Sequence, residues 1–126
     1  MFGPHPRSYN IAMNRRARRA ALAMAVAAKA ADGALSVLDA DDLKPVKTKE
    51  LISVLWTDKS GSDSRVLLVL HHEKDAHAAA IALAGGNLRA LTIVGHGEVN
   101  PHALLAHDRV IFTKNAYQAL AEVCSA

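Results

Sequence analysis

Short apolar runs and longer segments of helical periodicity follow one another along the whole chain. Strands are predicted over the apolar runs at 35–39, 65–70, 88–94 and 109–112. After Arg65, the run Val66-Leu-Leu-Val-Leu70 is apolar at successive positions, which is typical of a strand buried on both faces of a parallel sheet. Helices are predicted between and around these runs, over 15–31, 48–56, 74–84, 101–107 and 114–123.

This alternation predicts an α/β fold, with an open, mainly parallel four-stranded sheet and helices on both of its faces. Asn14, Thr48 and Thr113 stand at the starts of three predicted helices, and each is expected to cap its helix. Residues 1–14 are predicted to form an extended segment, and residues 15–126 a single α/β domain.

Composition limits the size and the class of the protein. The chain has 126 residues, which is room for one domain, and its 51% of hydrophobic residues are enough for a core. The single cysteine, Cys124, excludes an intramolecular disulfide. No apolar run approaches the length of about 18 residues that a membrane-spanning helix needs.

The charges are distributed unevenly along the chain. The net charge is +3, yet residues 1–31 contain six Lys and Arg side chains and no Asp or Glu. The remaining residues contain nine basic and twelve acidic side chains. A basic N-terminal region on a mildly acidic body favours a polyanionic partner at one end, because each neutralised phosphate releases counterions.

Acidic and histidine-rich turns after the predicted strands are the candidates for chemistry. Asp39, Asp41 and Asp42 could bind Mg²⁺ or a phosphorylated ligand at the end of the first strand, or form a solvated turn. Gly95-His96-Gly97 lacks the third glycine of a dinucleotide fingerprint. A zinc site is not predicted, because no H-E-x-x-H pattern or second cluster accompanies the densest group of possible ligands, which is His71, His72, Glu73, Asp75 and His77. No nucleophile and base pattern is evident, so we expect no catalytic residue, metal or cofactor.

The basic N-terminal region gives a stronger indication of function than these turns do. Arg7 and Tyr9 lie beside two prolines that stiffen an extended segment, and they would present a cation and a stacking ring. Guanidinium groups form paired hydrogen bonds with phosphate and stack on bases. Four of them follow within about two helical turns, at Arg15, Arg16, Arg18 and Arg19. An RNA contact is predicted, and the alternatives are a solvated helix face or a removable organelle presequence over 1–31.

The first helix is expected to place its small apolar side chains against the sheet. On a helical wheel these residues are Ala17, Ala20, Ala21, Met24, Ala27, Ala28 and Ala31. Leu22 and Val26 fall on the cationic side of the same wheel. Branched aliphatic side chains are unusual on such a face, so another chain or a shallow RNA groove is expected to cover them.

Several blocks of the sequence resemble, in order, the C-terminal portion of the proteins of one family. The most specific block is Phe2-Gly-Pro-His-Pro-Arg7 with Tyr9 and Asn14-Arg-Arg-Ala-Arg-Arg-Ala-Ala-Leu22. The similarity continues in order through Leu35-Ser-Val-Leu-Asp39, Lys47-Thr-Lys-Glu-Leu51, Val66-Leu-Leu-Val-Leu70 and Val110-Ile-Phe-Thr-Lys114. The chain resembles the large-subunit ribosomal protein four family of bacteria and organelles.

The resemblance implies an open α/β fold and a structural, non-catalytic role on large-subunit ribosomal RNA beside neighbouring ribosomal proteins. The RNA-contact positions that it implies are Arg7, Tyr9, Asn14, Arg15, Arg16, Arg18 and Arg19.

Two departures from the family refine the hypothesis. The family has a preceding portion, with a first strand and a loop toward the peptide exit tunnel, that this sequence lacks. We therefore expect a separate chain to supply that half and to complete an edge of the sheet; the alternatives are that the half is lost or that this sequence is a partial product, and we assign no tunnel role. The alanine-rich body with seven histidines, and Ala12 at a position where the family commonly has lysine, favour a mitochondrial ribosome over a plastid or bacterial one.

Overall fold

The computed structural model describes residues 2–39, 41, 47–56 and 64–125. Within these ranges the chain forms five helices and four strands in alternating order. They are α1 (Arg15–Ala31), β1 (Leu35–Leu38), α2 (Thr48–Leu55), β2 (Val66–Leu70), α3 (Ala78–Gly85), β3 (Leu91–Gly95), α4 (Pro101–Ala106), β4 (Arg109–Thr113) and α5 (Lys114–Ser125).

The strands of the described residues form one sheet in the order β1-β4-β2-β3, and every pairing is parallel. Val110 on β4 lies opposite Leu35 on one side and Leu67 on the other. Val66 lies opposite Leu91 on β3. The predicted α/β class and parallel four-stranded sheet are confirmed.

Helices cover both faces of the sheet, and β2 contributes to both cores because successive side chains point in opposite directions. Val66, Leu68 and Leu70 pack with buried residues of α2 and α3. Leu67 and Val69 pack on the other face with buried residues of α1, α4 and α5. All five β2 residues are buried, as their continuous apolar run predicts.

Two helix boundaries have clear local causes. Gly33 follows α1 with a φ of 71°, a left-handed conformation that ends helices and that glycine adopts without a Cβ clash. Asn100 caps α4 by accepting a hydrogen bond from the Ala103 N–H at 2.8 Å, and Pro101 occupies the first helical turn.

Helix α3 and strand β3 begin later than predicted. The predicted helix over 74–84 begins only at Ala78, because residues 72–77 form turns in which Asp75 bonds back to His71. The strand predicted from 88 begins at Leu91. Leu88 instead packs against the core from a turn, so its apolar character reflects burial and not strand pairing.

The predicted caps have different outcomes. Thr113 is confirmed as a cap of α5, since its hydroxyl accepts a hydrogen bond from the Ala116 N–H at 3.3 Å. Thr48 does not cap α2. It is the first residue of that helix, and its hydroxyl donates to the Ala84 carbonyl at 2.8 Å. Asn14 occupies the cap position of α1, but its side chain forms no cap hydrogen bond within the described residues.

The predicted buried face of α1 is wrong. Ala25 is the buried residue of this helix, and Leu22 and Val26 pack beside it against the core formed with α4 and α5. The face predicted to be buried is mostly exposed, including Met24 at 70%. Leu22, Ala25 and Val26 are spaced three and four residues apart, so they lie on one face of the helix, and that face is the one turned toward the core. Leu22 and Val26 are therefore packed against their own domain, and their apolar character alone does not require a second chain or RNA to cover them.

Candidate nucleic-acid interface

Residues 2–14 lie outside helices and strands and are exposed along their whole length. Within this segment the Arg7 guanidinium carbon lies 4.7 Å from the centroid of the Tyr9 ring. This distance is within the range of a cation–π contact, which holds the charge beside the ring. The pair presents a cation and an aromatic surface together, a combination that suits stacking on unpaired bases.

The arginines in the first turns of α1 lie on two sides of the helix. Arg15 and Arg18 line a groove between α1 and the start of α4, together with Val99 and Pro101. Arg16 lines a second groove toward Cys124 at the end of α5. Arg19 lines both grooves and is half-buried, whereas the other three arginines are exposed. The helix therefore offers positive charge over a broad arc and not along a single line.

The electrostatics of this helix end favour an anion. The first turn of α1 contains no acidic residue. The helix dipole is already positive at this end, so the guanidinium groups in the first turn are unfavourably placed with respect to the dipole. A bound polyanion would remove this repulsion. Asn14, exposed at the cap position, keeps its side-chain groups available at the same place.

Lys29 has a different role from the arginines. Its ammonium group donates a hydrogen bond to the His107 carbonyl oxygen at 2.6 Å, and the side chain is half-buried. This bond joins the end of α1 to the end of α4. Lys29 therefore stabilises the fold, although the sequence alone groups it with the other cations.

The candidate magnesium ligands form a local turn. Asp39 and Asp41 are exposed, and the Asp39 carboxylate accepts a hydrogen bond from the Asp41 N–H at 3.3 Å. Asp42 lies outside the described residues. Across the described ranges, no group of three or more His, Cys, Asp and Glu side chains is placed to hold a metal ion.

The histidine-rich turn after β2 is built around Asp75, which is 3% exposed. One carboxylate oxygen accepts hydrogen bonds from the His71 N–H at 2.8 Å and the Thr113 hydroxyl at 2.7 Å. The other oxygen accepts from the Asn115 side-chain amide at 2.9 Å. This network connects the turn to β4 and α5. Sequence reasoning named Asp75 but missed Thr113 and Asn115 as its partners, because no sequence spacing links them.

The histidines of this region pack against one another. The rings of His71 and His96 stack with centroids 4.1 Å apart and an angle of 12° between their planes. The Nδ1 atom of His71 accepts a hydrogen bond from the Lys74 N–H at 3.2 Å. A Cβ at Gly95 would lie 2.5 Å from Nε2 of His72, so this glycine makes room for the histidine. These contacts give Gly95 and the His96 ring a packing role in the domain.

Of the helices that the structure describes, none has the length and apolar character needed to cross a membrane.

Comparison with known proteins agrees with the resemblance seen in the sequence. The model of the ribosomal protein L4/L1 family matches residues 1–123. The chain is 35% identical to the large ribosomal subunit protein uL4 of Acaryochloris marina over 125 residues, which cover 99% of this chain and 58% of that protein. It is 37% identical to uL4 of Brevibacillus brevis, with coverage of 98% and 56%. For uL4 of Deinococcus radiodurans the identity is 34%, with coverage of 96% and 56%.

The chain thus spans somewhat more than half the length of the relatives that it matches. The family model, in contrast, covers nearly all of the chain. The chain belongs to the ribosomal protein L4/L1 family.

Proposed function

We propose that the protein is a structural, non-catalytic constituent of the large ribosomal subunit and binds its ribosomal RNA. The relatives carry the name of large-subunit ribosomal proteins. The observation that carries the RNA contact is a continuous exposed surface, from Arg7 to the first turns of α1, that contains cations and no acid.

The proposed roles follow from the chemistry of each side chain. Arg7 and Tyr9 would contact RNA as one stacked unit. Arg15, Arg16 and Arg18 would bind phosphates through their guanidinium groups. Asn14 would contact RNA from the cap position of α1. Arg19 would contact it from the part of the helix that lines both grooves.

In this proposal residues 1–14 act as the RNA-contact segment and residues 15–126 as the α/β domain that supports it. Helix α1 belongs to both functions, because its arginines face outward while Leu22, Ala25 and Val26 pack into the core. This packing supports retention of α1 in the working protein over removal of residues 1–31 as a presequence.

The assignment is tested by reversing the charge of Arg15, Arg16, Arg18 and Arg19 together. The expected result is loss of the protein from large subunits in a sucrose gradient and a weaker salt dependence of RNA affinity. Each lost phosphate contact should lower the slope of log affinity against log salt by about 0.7 to 0.9. The same reversal at Arg89, an exposed residue between α3 and β3, is the control. Normal incorporation of the fourfold variant would contradict the proposal.

We further propose that neighbouring ribosomal proteins and a separate chain with the N-terminal half of the family accompany this protein, in a mitochondrial ribosome. The free edges β1 and β3 of the described sheet are the places where such a chain could add a strand. Mass spectrometry of large subunits purified from mitochondria would detect both chains. Subunits that contain this protein without any peptide from that half would contradict the two-chain arrangement.

A further inference from the structure

The groove between α1 and α4 combines apolar side chains with arginines, whereas binding of the phosphate backbone alone would need only the arginines. Its volume is about 670 Å³, within the usual range for small-ligand sites. We name it the α1–α4 groove. It is lined by Met13, Arg15, Arg18, Arg19, Ala21, Leu22, Val99, Asn100 and Pro101.

Five of the nine lining residues are apolar and three are arginines. Leu22 and Val99 also pack against the core below, so the floor of the groove is held in place by the domain. None of the described lining residues is acidic. A ligand that fills the groove should therefore combine a flat or apolar part with a negative charge beside Arg15 and Arg18.

Asn100 adds a directional polar group to the groove. Its side-chain oxygen is occupied, since it accepts the cap hydrogen bond from the Ala103 N–H. The NH₂ group of the same side chain is not used by this cap. It can donate to a hydrogen-bond acceptor on the ligand, such as the ring nitrogens and carbonyl oxygens at the edge of a nucleobase.

From these features we infer that the α1–α4 groove binds a single unpaired nucleotide of RNA. The base lies on the apolar floor, its acceptor edge faces Asn100, and its phosphates contact Arg15 and Arg18. A paired base cannot enter, because its faces are stacked inside the helix. An acidic peptide would also neutralise the arginines of the groove. RNA fits them better, because it carries one phosphate per nucleotide and therefore a regular series of negative charges. The inference rests on the proposed RNA-binding function and specifies the form of RNA that this groove selects.

The test compares two RNA probes on the full chain. One is a 12-base-pair duplex with a single bulged 2-aminopurine, and the other is the same duplex without the bulge. The wild-type protein should bind the bulged probe about tenfold more tightly, as expected for stacking of one base on a protein surface. The emission of 2-aminopurine should change on binding as the base leaves solvent.

Two variants locate the effect in the groove. Ala21→Trp fills the groove without altering a charge, and it should abolish the preference for the bulged probe over the duplex. Ala28→Trp, at an exposed position farther along the same helix, is the matched control and should keep the preference. Asn100→Ser retains a cap oxygen but removes the NH₂ group, and it should lower bulged-probe affinity about threefold, the loss expected for one hydrogen bond.

The outcomes separate this inference from the proposed function. Equal affinity of the wild type for both probes, or a preference that survives Ala21→Trp, overturns the inference while RNA binding stands. Absence of salt-dependent binding to either probe overturns the proposed function itself. Binding of a synthetic acidic peptide that Ala21→Trp abolishes, without any preference for the bulged probe, would assign the groove to a protein partner and overturn the inference. Duplex affinity and the thermal unfolding midpoint report whether Ala21→Trp is folded.

Discussion

The Thr113 hydroxyl donates a hydrogen bond to the Asp75 carboxylate at 2.7 Å and also accepts one from the Ala116 N–H. Thr113 is the last residue of β4, and Asp75 lies in the turn after β2. The pair therefore connects the two central strands at their carboxyl ends and sets the start of α5. Both residues are buried, so the hydrogen bonds are shielded from water.

Replacement of Asp75 by alanine should destabilise the protein strongly. The change removes three hydrogen bonds and leaves the buried Thr113 hydroxyl and the His71 N–H without their acceptor, a cost of about 2–4 kcal/mol. Urea unfolding measures the loss. Glu73→Ala, at an exposed position of the same turn, should change the free energy of unfolding by less than about 0.5 kcal/mol. Equal stabilities of the two variants would contradict the role of Asp75.

Lys29→Met should lower stability without weakening RNA binding. The variant keeps the aliphatic stem but loses the bond from the ammonium group to the His107 carbonyl, at a cost of about 1 kcal/mol. Urea unfolding measures the free energy of unfolding, and filter binding to duplex RNA measures the affinity. Arg18→Met is the counterpart, with RNA affinity reduced and stability nearly unchanged. A fall in RNA affinity for Lys29→Met as large as that for Arg18→Met would assign Lys29 to the interface.

Leu22→Ala and Met24→Ala distinguish the observed from the predicted face of α1. Leu22 packs against the core, so its truncation should cost about 1–2 kcal/mol, less than for a fully buried leucine. Met24 is 70% exposed, and its truncation should change stability by less than about 0.5 kcal/mol. Thermal unfolding of both variants measures the difference. The reverse order would restore the face predicted from the sequence.

Gly85→Ala should destabilise the protein although alanine favours helices. A Cβ at this position would lie 2.6 Å from Cδ1 of Ile93 and 2.8 Å from Cδ2 of Leu91, and Leu51 blocks a third direction at 3.2 Å. The packed side chains must shift together, which leaves a net cost of about 1 kcal/mol after the gain in helix propensity. Gly97→Ala, whose Cβ meets no described atom within 4 Å, should be neutral in the same denaturation assay.

Much of the fold can be predicted from local sequence because strands and helices differ in their apolar period. The continuous apolar run of β2 identifies a strand buried on both faces, and the alternation with helices then favours a parallel sheet. The arginine cluster is equally local, since its members are neighbours in the sequence. The fold class and the types of its elements are therefore recovered, whereas the RNA contact of the arginines stays a prediction.

The features that sequence reasoning missed depend on which helix face meets the core and on distant partners. A helical wheel counts alanine and leucine alike as apolar, whereas in the structure Leu22 and Val26 pack against the core and most of the alanines remain outside. The partners of Asp75 come from β4 and α5, and only the sheet order brings them together. The late start of α3 has the same origin, because the turn that precedes it is organised by Asp75.

The strand order also determines when the protein can be completed during its synthesis. Strand β1 pairs with β4 alone among the described strands, and α1 packs with α4 and α5, so both early elements depend on the last part of the chain. While a ribosome is still producing those residues, α1 has left the exit tunnel without its packing partners. Its apolar side chains and its arginines are then exposed at the same time. The interval between emergence of α1 and arrival of β4 is thus the period in which the nascent chain is most prone to aggregate, and in which a polyanion could protect it.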